Sequence, residues 1–446
     1  MDIVSPERPG SGALVPVLGG ALAYAAFAQG AYYLPQAIAV AGTLAAGAAL
    51  TRARPEAGDG PAKVAFAMLG FALLASAAAA GFPADVWRPI LTLGAAASAF
   101  LLARTAVRSH ETERLLSVLA WIGTVVAVIG LAGVTFHAFP WAMRAQGLWR
   151  AASTLTYANS AGALLVLALP APLILLHRRD AMVHRLQTYA ILAGLIVTLS
   201  RGAAVGALVM VAALAVAGGR PLLARMVRPG LCALAAAVAM FPSIASWWAR
   251  PVHAMAGLAA GALIAAVPIR LGLRGRRIAA IAVALATVAA IVPAVAATEK
   301  PAQFITSRLG EARDDRTMFW AASLSAAAEN PVLGSGPGTY RGVLEDGNRR
   351  LLVFYVHNEY LQILAETGAV GLTAVLASIG LFAAWLWRRR PELGSEERIV
   401  WAAAFAACAA FCAHGLFDFM WRMPAVVIPA FIWLAVGAGP RERHTS

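Results

Sequence analysis

Residues 186–219 read LQTYAILAGLIVTLSRGAAVGALVMVAALAVAGG, two apolar runs (186–200 and 202–219) that meet at Arg201 with almost no loop between them. Backbone N–H and C=O groups cannot go unpaired in lipid, so apolar runs of this length must be helices. The pattern extends in both directions. Further runs lie at 13–34, 35–51, 64–81, 89–104, 115–135, 160–176, 231–249, 252–268, 278–297, 366–387, 399–416 and 424–439. At roughly 20 residues per crossing this gives about twelve to fourteen spans, the lower figure if 35–51, 89–104 and 186–200 are too short to cross alone. The expected fold is an all-α, polytopic integral membrane protein.

Composition agrees. Of 446 residues, 60% are hydrophobic and 13% charged, about half the charged share of a soluble protein. That excludes a cytosolic enzyme. The net charge of +14 suggests a nucleic-acid partner at first sight, but the basic residues sit in short clusters between apolar runs, as loops between spans do. No nucleic acid is expected. Cys232, Cys408 and Cys412 all fall inside apolar runs, where a free thiol behaves as a small hydrophobe. The run 13–34 exceeds a signal-peptide core in length and reads as an uncleaved first span.

Basic residues fix an orientation. Arg52, Arg54 and Lys63, then Arg178, Arg179 and Arg185, then Arg388, Arg389 and Arg390 recur in alternate loops, which the positive-inside rule assigns to the cytoplasm together with both termini. One long hydrophilic segment, 298–365, then lies on the outer face, between N-terminal spans (1–297) and C-terminal spans with a tail (366–446). Within it, Asp314-Asp315 suit a helix start and Asn330-Pro331 its stop. Met318, Phe319, Ala322 and Ala326 recur at helical spacing as an apolar stripe. The turn-rich Gly334-Ser335-Gly336-Pro337-Gly338 follows a helix rather than a strand, so it reads as a turn that can also present N–H groups to a phosphate. A second short helix starts near His357-Asn358 and stops at Gly368.

Charges on the outer face are the best clues to chemistry. Arg201 suits either a snorkelling interface position or an anion clamp, because guanidinium matches phosphate oxygens and stays charged. Arg316 suits either a helix-surface ion pair with Asp314-Asp315 or the same anion role. His357, at a helix start, is kept neutral by the macrodipole and can accept a proton from a sugar hydroxyl. Glu359 and Glu366 compete as bases, and Asn358 and Gln362 suit sugar hydroxyls or backbone caps. His414 and Asp418, four apart, suit a shared cavity or a structural hydrogen bond. Asp314-Asp315 lack further ligands, so no metal is expected.

Taken in order, Tyr157-Ala158-Asn159-Ser160-Ala161, Leu199-Ser200-Arg201-Gly202-Ala203, Arg316 with Trp320, Asn330-Pro331 with Gly334, Gly336 and Gly338, His357-Asn358-Glu359-Tyr360-Leu361 with Glu366, Gly368 and Gly371, and His414-Gly415-Leu416-Phe417-Asp418 with Pro424 resemble the O-antigen ligase and polymerase superfamily of bacterial inner-membrane proteins. The resemblance covers roughly 150 to 430. It departs at Ala158, where the family commonly has proline, which bears on Asn159. It implies a GT-C-like glycosyltransferase that uses no metal or other cofactor. The donor it implies is a glycan on undecaprenyl diphosphate. The acceptor is lipid A–core for a ligase, or a second lipid-linked glycan for a polymerase, met among the lipids of the inner membrane. Carried over, Arg201 and Arg316 bind the diphosphate and His357 is the base, with Asn159, Asn358, Glu359, His414 and Asp418 as secondary candidates. A lipid-linked glycan flippase is the alternative from another class; it calls for ionisable residues near mid-membrane, and few are present.

Overall fold

The computed structural model describes residues 11–268, 315–346 and 349–439. The expected run 278–297, Asp314 and the terminal residues Arg8, Arg441 and Arg443 lie outside the described residues. In order, the elements are α1 (Leu14–Phe27), α2 (Leu34–Leu50), α3 (Gly60–Ala79), α4 (Trp87–Arg108), α5 (Thr112–Phe136), β1 (Ala142–Ala145), β2 (Leu148–Ala151), α6 (Ala158–Ala168), α7 (Pro170–Arg178), α8 (Met182–Val197), α9 (Arg201–Ala217), α10 (Arg220–Ala245), α11 (Pro251–Ala266), α12 (Asp315–Glu329), β3 (Gly342–Asp346), β4 (Arg349–Val353), α13 (Glu359–Arg388), α14 (Glu396–Gly415) and α15 (Pro424–Gly437). Among the described residues, seven helical stretches, counting α6 and α7 as one, are long and apolar enough to cross a membrane, and six shorter apolar helices accompany them. The protein is an all-α, polytopic membrane protein with two small antiparallel hairpins.

Helix boundaries differ from the hydropathy runs where polar groups find partners. The run 13–34 breaks at Gln29–Ala31, where Gly30 has φ +77, so α1 is 14 residues long. In contrast, α4 outlasts its run because Arg104, buried in its last turns, donates to Asp59 at 3.1 and 3.2 Å and to the Gly439 carbonyl at 2.7 Å. A buried cation with its donors satisfied can remain inside a helix. Between α5 and α6 the chain forms the β1–β2 hairpin, which hydropathy does not register.

The centre of the bundle is α6, every residue of which is buried. It packs among α5, α8, α9, α14 and α15, and a helix enclosed on all sides has no need of a polar face. Small residues let the axes approach. The pair Gly202 and Gly206 on α9 faces α14: a Cβ on Gly202 would lie 2.6 Å from the His414 ring, and one on Gly206 3.4 Å from the Ala410 carbonyl. Two ends of the bundle emerge. One gathers the Arg104–Asp59 pair, Arg389 on the Gly58 and Ala438 carbonyls, and Arg398 on the Ala217 carbonyl. The other gathers the N-termini of α6, α9, α13 and α15 with the C-terminus of α14.

Over that second end lies α12. Its buried face carries Ser323 and Ala327, with Phe319, Trp320 and Ala326 partly covered, while Met318 is exposed. The face is rotated from the expected stripe because Ser323 donates to the Leu361 carbonyl at 3.0 Å, which brings a hydroxyl to the buried side. The short helix expected to stop at Gly368 instead runs on: α13 bends at Gly368 (φ +63, ψ −165) and continues to Arg388, so the boundary drawn at 365/366 falls inside one helix. Backbone groups freed by the bend are taken up by residues 331–336. Ala369 and Val370 N–H donate to the Pro331 and Val332 carbonyls (2.8 and 3.2 Å), and Ser335 and Gly336 N–H donate to the Ala365 and Glu366 carbonyls (3.1 and 2.9 Å). The N–H groups of the glycine run are therefore committed to this docking rather than open to a phosphate.

A side chain at Gly368 would meet the Val332 carbonyl and occupy a left-handed backbone region. Gly368→Ala should cost about 1–3 kcal/mol, seen as a lowered Tm in detergent. Gly380→Ala on the same helix, where nothing lies within 4 Å, should leave Tm unchanged.

Candidate functional site

The site is built around Asp418, in the short connection between α14 and α15. Its carboxylate is 1% exposed and accepts from four donors: His357 Nδ1 at 2.9 Å, the Tyr157 hydroxyl at 3.1 Å, the Asn159 amide, and the Phe419 backbone N–H at 2.9 Å. Burial works against the ionised form, but the hydrogen bond and charge of His357, followed by His414 and the Phe419 N–H, hold Asp418 below the usual carboxylate range. An ionised carboxylate can only accept, so Nδ1 of His357 carries a proton, and in the neutral tautomer that this selects the lone pair is on Nε2.

His357 directly precedes Asn358, the N-cap of α13, whose side chain accepts from Leu361 N–H at 3.2 Å. The His357 backbone is left-handed (φ +54), a strained conformation for a residue with a side chain. The side chain is 25% exposed while its carboxylate partner is hidden. Phe319 stacks on the ring at 5.8 Å and Phe419 meets it edge-on at 5.2 Å.

Two arginines lie at the same end of the bundle as this histidine. Arg201 opens α9, where Ser200 caps the helix by accepting from Ala203 N–H at 3.2 Å, so the guanidinium stands at a helix N-terminus suited to anions. Gly202, the next residue, lies against the His414 ring. Arg316 is in the first turn of α12, one turn before Phe319, and so shares the face that covers His357. His414 interacts electrostatically with both Asp418 and Arg316. Its Nε2 is buried and has no hydrogen-bond partner among the described residues. The structure thus brings Arg201, Arg316, His357, His414, Asp418 and Asn159 into one region at one end of the bundle.

The remaining candidates sit elsewhere. Asn358 is committed to capping. Gln362 accepts from Val356 N–H (3.1 Å) and donates to Glu366 (3.0 Å). Glu359 is 1% exposed and accepts from the Trp421 N–H at 2.6 Å. Glu366 accepts from Arg422 at 2.7 Å and from Gly338 N–H at 2.7 Å. These groups hold the 334–338 run, α13 and the 420–422 turn together, one layer away from His357.

Two neighbours of the site are Tyr157, which the sequence offered only as part of a motif, and Arg150, which it did not single out. Burial, and then the Asp418 charge, push the Tyr157 phenol well above its usual value, so it remains a donor. Arg150, on β2, donates to the Thr198 carbonyl (2.9 Å) just before α9 and to Asn159 (2.6 Å). It thereby ties the hairpin, the Arg201 turn and the Asp418 network together. The Gln146-Gly147 turn, with both φ values positive, is the sequence signal that announces this hairpin.

With this geometry in place, comparison with known proteins gives one finding. A family model described as O-Antigen ligase matches residues 252–376, a span that contains Arg316 and His357. The match supports membership of the O-antigen ligase and polymerase superfamily and, in general terms, its glycan-transferring activity on lipid-linked glycans. No match was found among curated proteins.

Because Asp418 is held low in the folded state, it contributes stability above the unfolded carboxylate value of ~3.9, and that contribution is lost as pH falls through its depressed folded value. Asp418→Asn should lower stability at neutral pH by about 3–5 kcal/mol and flatten the acid-side loss of Tm below pH ~4. An unchanged acid profile counts against the network.

Proposed function

We propose that the protein transfers a glycan from undecaprenyl diphosphate to a sugar hydroxyl on the periplasmic face of the bacterial inner membrane, in the manner of an O-antigen ligase with a lipid A–core acceptor. The observation that carries this reading is the His357–Asp418 pair, at the end of the bundle where Arg201 opens α9 and Arg316 lies in the first turn of α12. Nε2 of His357 removes the acceptor hydroxyl proton. The oxygen attacks the anomeric carbon from the face opposite the leaving group, with inversion, and the bond to the diphosphate oxygen breaks. The electron pair departs on the diphosphate, where Arg201 and Arg316 offset the developing charge. Asp418 steadies the imidazolium that forms, and His414 Nε2 faces the same region as a further donor to phosphate oxygen. A donor with stored bond energy suits a compartment without nucleotides.

Sidedness follows from the same reading. The arginine-rich end with Arg104, Arg389 and Arg398 is cytoplasmic by the positive-inside rule, which leaves the His357 end periplasmic. Reporters fused after Arg341 and after Arg390 should fall on opposite sides.

With purified lipid-linked glycan, His357→Ala should lower transfer by about 100-fold or more without changing membrane insertion. Arg201→Lys and Arg316→Lys should each lower it by about tenfold or more, since a point charge loses the bidentate geometry. Wild-type turnover in all three defeats the proposal. Deleting the protein should leave lipid-linked polymer unattached; single unpolymerised repeats would assign it to the polymerase branch instead.

A further inference from the structure

Two adjoining cavities lie beside the Tyr355–Phe419 stack. The first, about 330 Å³, is lined by Tyr32, Asp85, Arg88, Arg341, Tyr355 and Arg422. The second, about 550 Å³, has almost wholly apolar walls drawn from α3, α4, α13, α14 and α15, including Leu69, Leu93, Ile363 and Phe431. Pro89 and Arg422 line both, so a polar chamber adjoins an apolar one.

Three guanidinium groups line the polar chamber, and two of them have a carboxylate partner. Arg341 pairs with Asp85 at 2.8 Å, and Arg422 pairs with Glu366 at 2.7 Å with Glu359 at 3.9 Å. Arg88 lies over the Tyr32 ring at 5.1 Å, and its guanidinium makes no hydrogen bond or ion pair among the described residues. Nε of Arg422 is buried without a hydrogen-bond partner among the described residues. Two guanidinium groups with unused donors, beside an apolar chamber between membrane-spanning helices, match an amphiphile with a phosphate head.

We propose that these chambers form one site for a second lipid-anchored substrate, the acceptor, with its hydrocarbon chain in the apolar chamber and its phosphate on Arg88 and Arg422. This rests on the two-substrate reading above, in which Arg201 and Arg316 serve the donor. The connection to the chemistry is short. Tyr355, in the wall of the polar chamber, stacks on Phe419 at 4.0 Å, and Phe419 in turn meets His357 at 5.2 Å. Sugars extending from a phosphate in this chamber pass that wall to reach Nε2 of His357.

The test uses the full chain in phosphatidylcholine nanodiscs with two photoactivatable probes of identical acyl chains, phosphatidic acid and diacylglycerol. The phosphatidic acid probe should label peptides of α3 and α13 about tenfold more than diacylglycerol, and Arg88→Gln should remove that advantage. Val375→Trp, which fills the apolar chamber, should lower labelling by both probes. In transfer assays Arg88→Gln should raise KM for the acceptor and leave KM for the donor unchanged. Equal labelling by the two probes, labelling insensitive to Arg88→Gln, or a rise in donor KM overturns the assignment. Failure of the donor reading is distinguishable, because Arg201→Lys then leaves transfer intact while Arg88-dependent labelling persists.

Discussion

One buried carboxylate organises the end of this bundle where the N-termini of α6, α9, α13 and α15 meet. Asp418 draws donors from the turn before α6, from α6 itself, from the start of α13 and from its own chain. An ionised group so deeply placed is tolerable only when its acceptor sites are filled. The elements that supply those donors are therefore held in register with one another, and the histidine among them has its ring orientation and protonation pattern set by the same bonds. Stability of the end and chemistry of the site draw on a single set of contacts.

Around it, the membrane imposes a second constraint. Lipid offers no hydrophobic gain for helix association, so close approach comes from small residues such as Gly202 and Gly206. Their absent side chains leave the space that His414 fills. Packing of α9 on α14 thus delivers Arg201 and His414 to the same place. The opposite ends are secured differently, by arginines that reach carbonyls across helix termini.

Much of this was legible in the sequence. Long apolar runs with arginine clusters gave the architecture, because the bilayer leaves the backbone few options. Arg201, Arg316 and His357 stood out as isolated polar residues at boundaries, and the structure brings their elements together at one end. Partnership was harder to read: His357 and Asp418 are far apart in the chain, and nothing local to either announces the other. Arg150 was hidden in a segment whose short strands carry no hydropathy signal. The capping bond of Asn358 and the ion pairing of Glu359 were also out of reach, since they depend on where α13 and the 420–422 turn meet.

The crossing of the 331–336 segment over Gly368 has a consequence for how such proteins diversify. Two main chains touch there with no side chain between them, so the extramembrane segment and the span beneath it are joined as tightly as strands in a sheet. Exchanging the segment before α13 between homologous proteins will keep the fold only when both glycine positions are retained, Gly334 in the exchanged piece and Gly368 in the helix that receives it, along with their shared geometry.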